Sequence, residues 1–152
     1  VHFRSIAVTN DAIFLLSIAS PALLFKTTNK GESWKIVYQE NDSSAFYDSM
    51  KFFDTQNGIA MGDPTDECLS VILTNDGGNT WDKVSCEDLP PAADGEAAFA
   101  ASNTNISVFE DNVWIGSGKD LIKFYCVIQN DVFIGGDILI LRRIISKFTS
   151  KS

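Results

Sequence analysis

Short apolar runs alternate with polar turns along most of the chain. In three places an apolar run is followed by a polar turn and then by a second apolar run; the turns are residues 9–11, 54–58 and 102–105. The first runs contain Ile6, Phe52 and Phe99, and the second runs contain Ile13, Ile59 and Ile106. The dipeptide Asn57-Gly58 in the middle turn is typical of a tight β-hairpin. The pattern therefore predicts three similar hairpins.

A second feature recurs at the same spacing. Residues 27–34 read TTNKGESW and residues 74–81 read TNDGGNTW, and 81 − 34 gives an offset of 47. Phe52 and Phe99 are also 47 residues apart, and Ile6 lies 46 residues before Phe52. A fixed period of this size indicates a repeat architecture. Each repeat then holds an inner hairpin followed by an outer hairpin, which is four strands and the size of one propeller blade.

The recurring motif has the chemistry of a tight turn. Its hydroxyl and its amide or carboxylate can bind nearby backbone N–H groups, its glycine can adopt a positive φ, and its tryptophan can turn inward between sheets. These residues resemble the Asp box of the bacterial neuraminidase repeat, a structural turn between the outer strands of a propeller blade. The matching positions are Thr27, Asn29, Gly31, Ser33 and Trp34, and then Thr74, Asp76, Gly78, Thr80 and Trp81. Trp114 is expected to be a similar apolar anchor.

The fold class predicted from this period is all-β: a partial propeller with two to three four-stranded antiparallel blades. The alternative is a β-sandwich with two ordinary hairpins, whose strand spacing is usually irregular. Dividing 152 residues by 47 gives just over three repeats, whereas propellers close with about 4–8 blades. The chain is thus expected to be part of a propeller or to associate with other copies.

The regular pattern ends near Gly118, which suggests blades in residues 1–118 and a different segment in residues 119–152. No third motif follows at the expected offset. The segment is interpreted either as degenerate strands of a third blade, with Gly135-Gly136 as a turn, or as a divergent or frame-shifted end. The second interpretation is favoured slightly.

Three further stretches carry a resemblance. Residues 45–54 read AFYDSMKFFD, residues 57–64 read NGIAMGDP and residues 89–102 read LPPAADGEAAFAAS. They are similar to bacterial propellers related to the photosystem II assembly and stability factor, often labelled oxidoreductases. The resemblance covers about residues 3–118. It implies a sialidase-like topology and a location outside the cytoplasm, but no reaction, since propellers host many functions.

The uneven distribution of charge limits the kinds of partner that the chain is expected to bind. Residues 1–118 contain 6 Lys/Arg and 17 Asp/Glu, a net charge of −11, while residues 119–152 contain 6 and 3, a net charge of +3. An acidic body repels phosphate backbones, so a nucleic-acid partner is not expected. The sequence shows no apolar stretch long enough to span a membrane.

The sequence contains few of the residues that a catalytic site would need. A sialidase-type glycoside hydrolase needs an arginine cluster for the sugar carboxylate, and the chain has only Arg4, Arg142 and Arg143. No Gly-x-Gly-x-x-Gly follows a strand, so no dinucleotide site is expected. His2 is the only histidine, which excludes a multi-histidine metal or haem site within the chain. No cofactor is predicted.

A few acidic residues and two cysteines are the remaining candidates. Asp63, Asp66 and Glu67 offer hard oxygen ligands for calcium, against the alternative of a solvated acidic turn. Glu96 is a candidate for lining a central channel, by family resemblance. Cys68 lies nine residues before Gly77 and Cys86 nine residues after it, so a hairpin centred there places them opposite each other. A disulfide and two unlinked facing residues are equally favoured.

The sequence thus predicts a non-catalytic binding or assembly scaffold with an unknown protein or glycan partner. The alternative is a fragment of a sialidase-type glycoside hydrolase. Self-association is expected if the propeller is incomplete, because open sheet faces and edges remain exposed.

Overall fold

A computed structural model describes residues 1–18, 20–99, 103–109, 112–118, 122–127 and 138–140. The described chain is all-β, apart from one short 3-10 turn at Cys86–Asp88, and its strands form three sheets. Gly135 and Gly136, and most of residues 119–152, lie outside the described residues. The apolar runs and turns in the sequence therefore correspond to separate sheets in chain order.

The first sheet is a four-stranded antiparallel meander. Its strands are β1 (Phe3–Val8), β2 (Ile13–Ser17), β3 (Ala22–Thr27) and β4 (Lys35–Glu40), in that spatial order. The second sheet repeats this arrangement with β5 (Tyr47–Phe52), β6 (Gly58–Pro64), β7 (Leu69–Thr74) and β8 (Asp82–Lys83). In both sheets the recurring motif connects the third and fourth strands, as the sequence predicted.

The third sheet is less regular. It contains β9 (Ala97–Ala98), β10 (Ile106–Phe109), β11 (Asn112–Gly118), β12 (Ile122–Val127) and β13 (Ile138–Ile140), and β13 pairs with β12 in parallel. Among the residues that the structure describes, the predicted third inner hairpin is not found, since β9 pairs with β11 and not with β10. β10 pairs with residues 112–115 of β11, and β9 pairs with residues 117–118 of the same strand.

Two apolar cores hold the three sheets together. One core lies between the first and second sheets and contains fully buried side chains such as Phe14, Leu24 and Ile72. The other lies between the second and third sheets and includes Val71 and Ile115. The second sheet is thus covered on both faces, which explains the unbroken burial of β7, whereas an open antiparallel sheet would alternate.

The sheets stack with the same polarity. Each sheet has a buried hydroxyl near the end of its third strand in chain order: Thr27, Thr74 and Ser117. Counting back two residues from Thr74 and Ser117 reaches Ile72 and Ile115, and each of these packs against the preceding sheet. Counting back three residues from Thr27 and Thr74 reaches Leu24 and Val71, and each of these packs against the following sheet. Successive sheets therefore use equivalent faces.

The inner edges of the sheets converge. The first strands of the first and second sheets, β1 and β5, approach each other, and β5 also approaches β10 of the third sheet. The Ser5 hydroxyl donates a hydrogen bond of 2.6 Å to Asn103 Oδ1, which joins the first sheet directly to the third. Because these sheets are separated by the second sheet elsewhere, the contact shows that they lie closer together at this edge.

Candidate functional site

The first turn, residues 27–34, is organised by side chains that bind its own backbone. Thr27 Oγ1 donates to Asn29 Oδ1 at 2.8 Å and accepts from the Gly31 N–H at 3.0 Å. Asn29 Oδ1 also accepts from the Ser33 N–H at 3.0 Å, and Asn29 Nδ2 donates to Ser33 Oγ at 2.9 Å. Gly31 has a φ of +95°, a conformation that favours glycine.

The second turn, residues 74–81, forms nearly the same network around a carboxylate. Thr74 Oγ1 donates to Asp76 Oδ1 at 2.9 Å and accepts from the Gly78 N–H at 2.9 Å. The carboxylate also accepts from the Thr80 N–H at 3.0 Å and from Thr80 Oγ1 at 2.7 Å. Burial raises the pKa of Asp76, but the hydrogen bonds from Thr80 and Thr74 outweigh it and lower the pKa below its usual value. The hydroxyl, amide and carboxylate groups of both turns thus have structural roles, because they bind the turn that contains them.

The two tryptophans differ, and the prediction that both turn inward is wrong for Trp34. Trp81 is 6% exposed and makes edge contacts with the rings of Phe14, in the first sheet, and Phe52. Trp34 is 39% exposed, because the described residues place no sheet on that face of the first sheet. Trp114 is also 38% exposed, since it points away from the second sheet, and it is not the buried anchor that was expected.

Lys26 ties the first sheet to the second turn. Its ammonium donates to the Gly77 carbonyl and to Asn79 Oδ1, both at 2.8 Å, and lies 5.5 Å from the centre of the Phe14 ring. A Cβ on Gly78 would overlap that ring, so glycine is required there for close approach as well as for its φ of +74°. The second turn is therefore part of the contact between the two sheets.

An acidic cleft opens between the second and third sheets. Its lining includes Asp63, Asp66, Glu67, Asp94 and Glu96 together with the segment Pro91-Ala92-Ala93. The structure does not bring Asp63, Asp66 and Glu67 together as a metal-ligand set, since no such group of three occurs among the described residues. Asp63 Oδ1 instead accepts a hydrogen bond of 2.8 Å from the Ala98 N–H. Asp66 and Glu67 are exposed at the mouth of the cleft.

Glu96 forms the inner wall of this cleft. It is 6% exposed; Oε2 accepts a 2.7 Å hydrogen bond from the Ala93 N–H, and Oε1 accepts one from the Ser117 hydroxyl. The bond from Ala93 closes the loop before β9 on itself, and the bond from Ser117 connects that loop to β11 of the third sheet. Glu96 therefore fixes the shape of the cleft, which is a more definite role than the channel position suggested by the sequence.

Asp48 is a buried carboxyl beside this region that the sequence analysis did not single out. It lies at a bulge in β5, is fully buried, and has no hydrogen-bond partner among the described residues. Burial, reinforced by the nearby charge of Asp63 and opposed by Arg4, raises the pKa of Asp48 to about 6. Burial also raises the pKa of Asp63, although the Ala98 N–H and Arg4 oppose it. Burial at the interior end of the cleft thus raises the pKa of both carboxyl groups.

The sequence also shows no sign of a tyrosine–carboxylate network, because a tyrosine or glutamate in a strand does not reveal its burial or its partners. Tyr38 and Tyr47 both donate to Glu40 Oε2, at 2.9 and 2.7 Å, and Lys83 pairs with Glu40 Oε1. Burial raises the pKa of Tyr38 to about 12 and raises the pKa of Tyr47 further. A nucleophilic tyrosine needs a lowered pKa and access to substrate, and Tyr47 is fully buried. The network therefore links β4 to the second sheet and has no accessible nucleophile in Tyr47.

The structure joins Cys68 and Cys86 in a disulfide, with an S–S distance of 1.99 Å and a Cα–Cα distance of 5.5 Å. The sequence alone favours a disulfide and two unlinked cysteines equally. The bond closes the base of the hairpin that carries the second turn. It also borders Glu67 at the cleft mouth.

Comparison with known proteins adds no family assignment. No protein-family model matches the sequence, and no curated protein matches it. Within the described part of the chain, no helix has the length and apolar character needed to cross a bilayer.

Proposed function

We propose that this chain is a non-catalytic repeat module of the β-propeller type that serves as a binding or assembly scaffold. Three observations support the propeller arrangement: the equivalent turns, the equivalent stacking faces and the convergence of the inner edges. The Ser5–Asn103 hydrogen bond is the most informative of these, because flat parallel layers would keep the first and third sheets apart. The similarity of residues 3–118 to propellers related to the photosystem II assembly and stability factor agrees with this proposal.

The acidic cleft is the surface that we assign to binding. Exposed Asp66, Glu67 and Asp94 line it beside the fixed wall formed by Glu96, and the body of the chain is strongly acidic. Carboxylates arranged around a concave surface attract cationic groups and focus their field. A partner protein that presents lysine or arginine side chains fits this chemistry better than a glycan acid or a nucleic acid.

A scaffold accounts for the site better than the alternative, a sialidase-type hydrolase. Tyr47 is hydrogen-bonded to the carboxylate of Glu40, but its side chain is fully buried and burial raises its pKa. Arg4 is engaged with the ring of Phe46, 5.5 Å from its centre. Neither arrangement supplies the arginine cluster and accessible nucleophile that such an enzyme requires.

We also propose an extracytoplasmic location, whether periplasmic, surface-bound or secreted. Disulfides form and persist mainly in oxidising compartments, and the Cys68–Cys86 bond fits that environment. Alkylation of cells before lysis, followed by mass measurement of the purified protein, checks this. Free thiols at both positions in the native protein would contradict it.

Binding to a labelled lysine-rich peptide tests the function directly. Fluorescence anisotropy should show binding that weakens as salt is raised, and the same peptide with glutamate in place of lysine should not bind. The double variant Asp66→Asn/Glu67→Gln should weaken binding several-fold without changing the fold, while Asn75→Asp, on the remote second turn, should leave binding unchanged. Equal binding of both peptides, or turnover of a fluorogenic sialoside by the protein, would refute the proposal.

A further inference from the structure

The outer face of the first sheet carries an apolar row that crosses all four strands. The strand registers place Ile6 beside Leu15, Leu15 beside Phe25, and Phe25 beside Ile36. Ile6 is 54% exposed and Ile36 is 46% exposed, while Leu15 and Phe25 between them are half-buried. Trp34, two residues before Ile36, is also exposed. A continuous exposed row of large apolar side chains marks an interaction surface, whereas isolated exposed residues do not.

The repeat indicates what type of surface covers this row. The equivalent row in the second sheet is Met50, Ala60 and Ile72, all fully buried against the first sheet. The equivalent pair in the third sheet is Ile106 and Ile115, both 1% exposed against the second sheet. In each case the cover is the opposite face of the preceding repeat sheet. The first sheet therefore presents a contact face that is used twice elsewhere in the same molecule.

The third sheet presents the complementary face. Leu24 and Val71, three residues before the buried hydroxyls of their sheets, provide the cover in the two internal contacts. The residue at this position in the third sheet is Trp114, which is 38% exposed, and Phe109 on the neighbouring strand is 67% exposed. Both halves of the repeated contact are thus exposed, one at each end of the stack.

We propose that two copies of this chain associate head to tail, with the third sheet of each copy covering the first sheet of the other. Two copies supply six sheets, which lies within the range of about 4–8 at which propellers close. Such a contact joins different surfaces and is finite only because the rotation closes the ring. This inference rests on the propeller arrangement proposed above.

Sedimentation equilibrium on the 152-residue chain tests the association across the micromolar range. The expected mass is twice the 16.7 kDa of one chain. Ile36→Asp and Trp114→Asp should each give a monomer that keeps its β-sheet circular dichroism and its disulfide, because each places a charge in one half of the contact. Asn75→Asp adds a charge at an exposed position away from both faces and should remain dimeric.

Mixing the two monomeric variants distinguishes head-to-tail association from other modes. The intact third sheet of Ile36→Asp can cover the intact first sheet of Trp114→Asp, so a mixed dimer with one sound contact should form. A wild-type monomer, a series of open-ended larger species, a Trp114→Asp variant that still dimerises alone, or variants that do not associate on mixing would each overturn the ring. Retained peptide binding by a wild-type monomer would overturn this inference while leaving the proposed scaffold function intact.

Discussion

The first and second turns have nearly the same internal hydrogen bonds but very different surroundings. In both, a threonine hydroxyl and an Asn or Asp side chain bind the backbone of the turn, and a glycine has positive φ. The second turn packs against the first sheet through Trp81 and Gly78, and Lys26 donates to it. The first turn has no such sheet against it among the described residues.

The difference separates what a turn encodes from what its neighbours supply. Hydroxyl, amide and glycine geometry acts within eight residues and does not need a second sheet. Burial of the indole needs a neighbouring sheet face, so the same motif gives a core residue at Trp81 and a largely exposed one at Trp34. Substitutions at paired positions should therefore have unequal effects wherever packing matters and similar effects wherever local hydrogen bonding matters.

The largest difference in stability between paired substitutions is expected for the two tryptophans. Trp81→Ala should lower the free energy of unfolding by about 3–5 kcal/mol, because it removes a buried aromatic side chain between Phe14 and Phe52. Trp34→Ala should cost less than about 1 kcal/mol in the monomer, as a surface substitution. Urea denaturation followed by circular dichroism measures both. Equal losses would show that the two indoles have equivalent environments and would remove the comparison.

The disulfide provides the second inequality, because it brackets only the second turn. Reduction, or Cys68→Ser/Cys86→Ser, should destabilise the protein by about 3 kcal/mol, as expected for opening a loop of this size. Hydrogen exchange should rise around residues 69–84 and stay unchanged in the first turn. Uniform loss of protection in both turns would mean that the bond stabilises the whole stack and not the second hairpin.

The sequence predicted the local parts of this fold better than the contacts between parts. The first two inner hairpins, the tight turns at residues 27–34 and 74–81 and the positive φ at Gly31 and Gly78 are properties of short segments, and they are present in the structure. The β9–β11 pairing and the exposure of Trp34 depend on which segments meet, which a repeat period does not specify. The propeller and the family resemblance remain predictions.

The candidate site shows the same limit. Asp63, Asp66, Glu67 and Glu96 were noticed because they are close in sequence or lie in a recognisable stretch, and they line one cleft. Asp48 and the Tyr47–Glu40 pair were not, since an isolated Asp or Tyr in a strand carries no signal of burial or partner. Their altered pKa values arise from desolvation, which is a property of the assembled sheets.

The third inequality concerns the glycines. Gly78→Ala should cost about 2–4 kcal/mol, combining a left-handed backbone conformation with overlap of the new Cβ and the Phe14 ring. Gly31→Ala should cost about 1–2 kcal/mol, because its nearest contact would be the Trp34 ring at 3.8 Å and only the backbone term applies. The double variant Gly78→Ala/Phe14→Ala separates the two terms, since it removes the overlap. Thermal or urea unfolding of the wild type, Gly78→Ala, Phe14→Ala and the double variant gives the coupling free energy between the two positions. A coupling of zero would contradict the contact between the new Cβ and the Phe14 ring.

The smallest expected effect concerns the central group of each network, which is the Asp76 carboxylate in the second turn and the Asn29 amide in the first. Hydrogen bonds lower the pKa of Asp76 in the folded protein, so its ionised form contributes stability at neutral pH, and this contribution is lost as the pH falls through and below the unfolded value of about 3.8. Asp76→Asn should remove that acid-dependent part while keeping most of the turn's hydrogen bonds. The weaker hydrogen bonds of the amide should cost about 1 kcal/mol or less at neutral pH. Asn29→Asp should add a similar dependence to the first turn.

Stability measured from pH 7 down to pH 3 in the wild type and the two variants tests this exchange. The wild type should be more stable to unfolding than Asp76→Asn at pH 7, and this difference should shrink as the pH falls. Asn29→Asp should gain stability relative to the wild type at pH 7, and that gain should also shrink as the pH falls. Asp48 contributes in the other direction, because its raised pKa makes the folded state less stable as the pH rises from about 3.8 to about 6. Asp48 is present in all three proteins, so its contribution cancels. A pH-independent difference for both variants would show that the networks do not distinguish a carboxylate from an amide, and the two turns would then differ only in what packs against them.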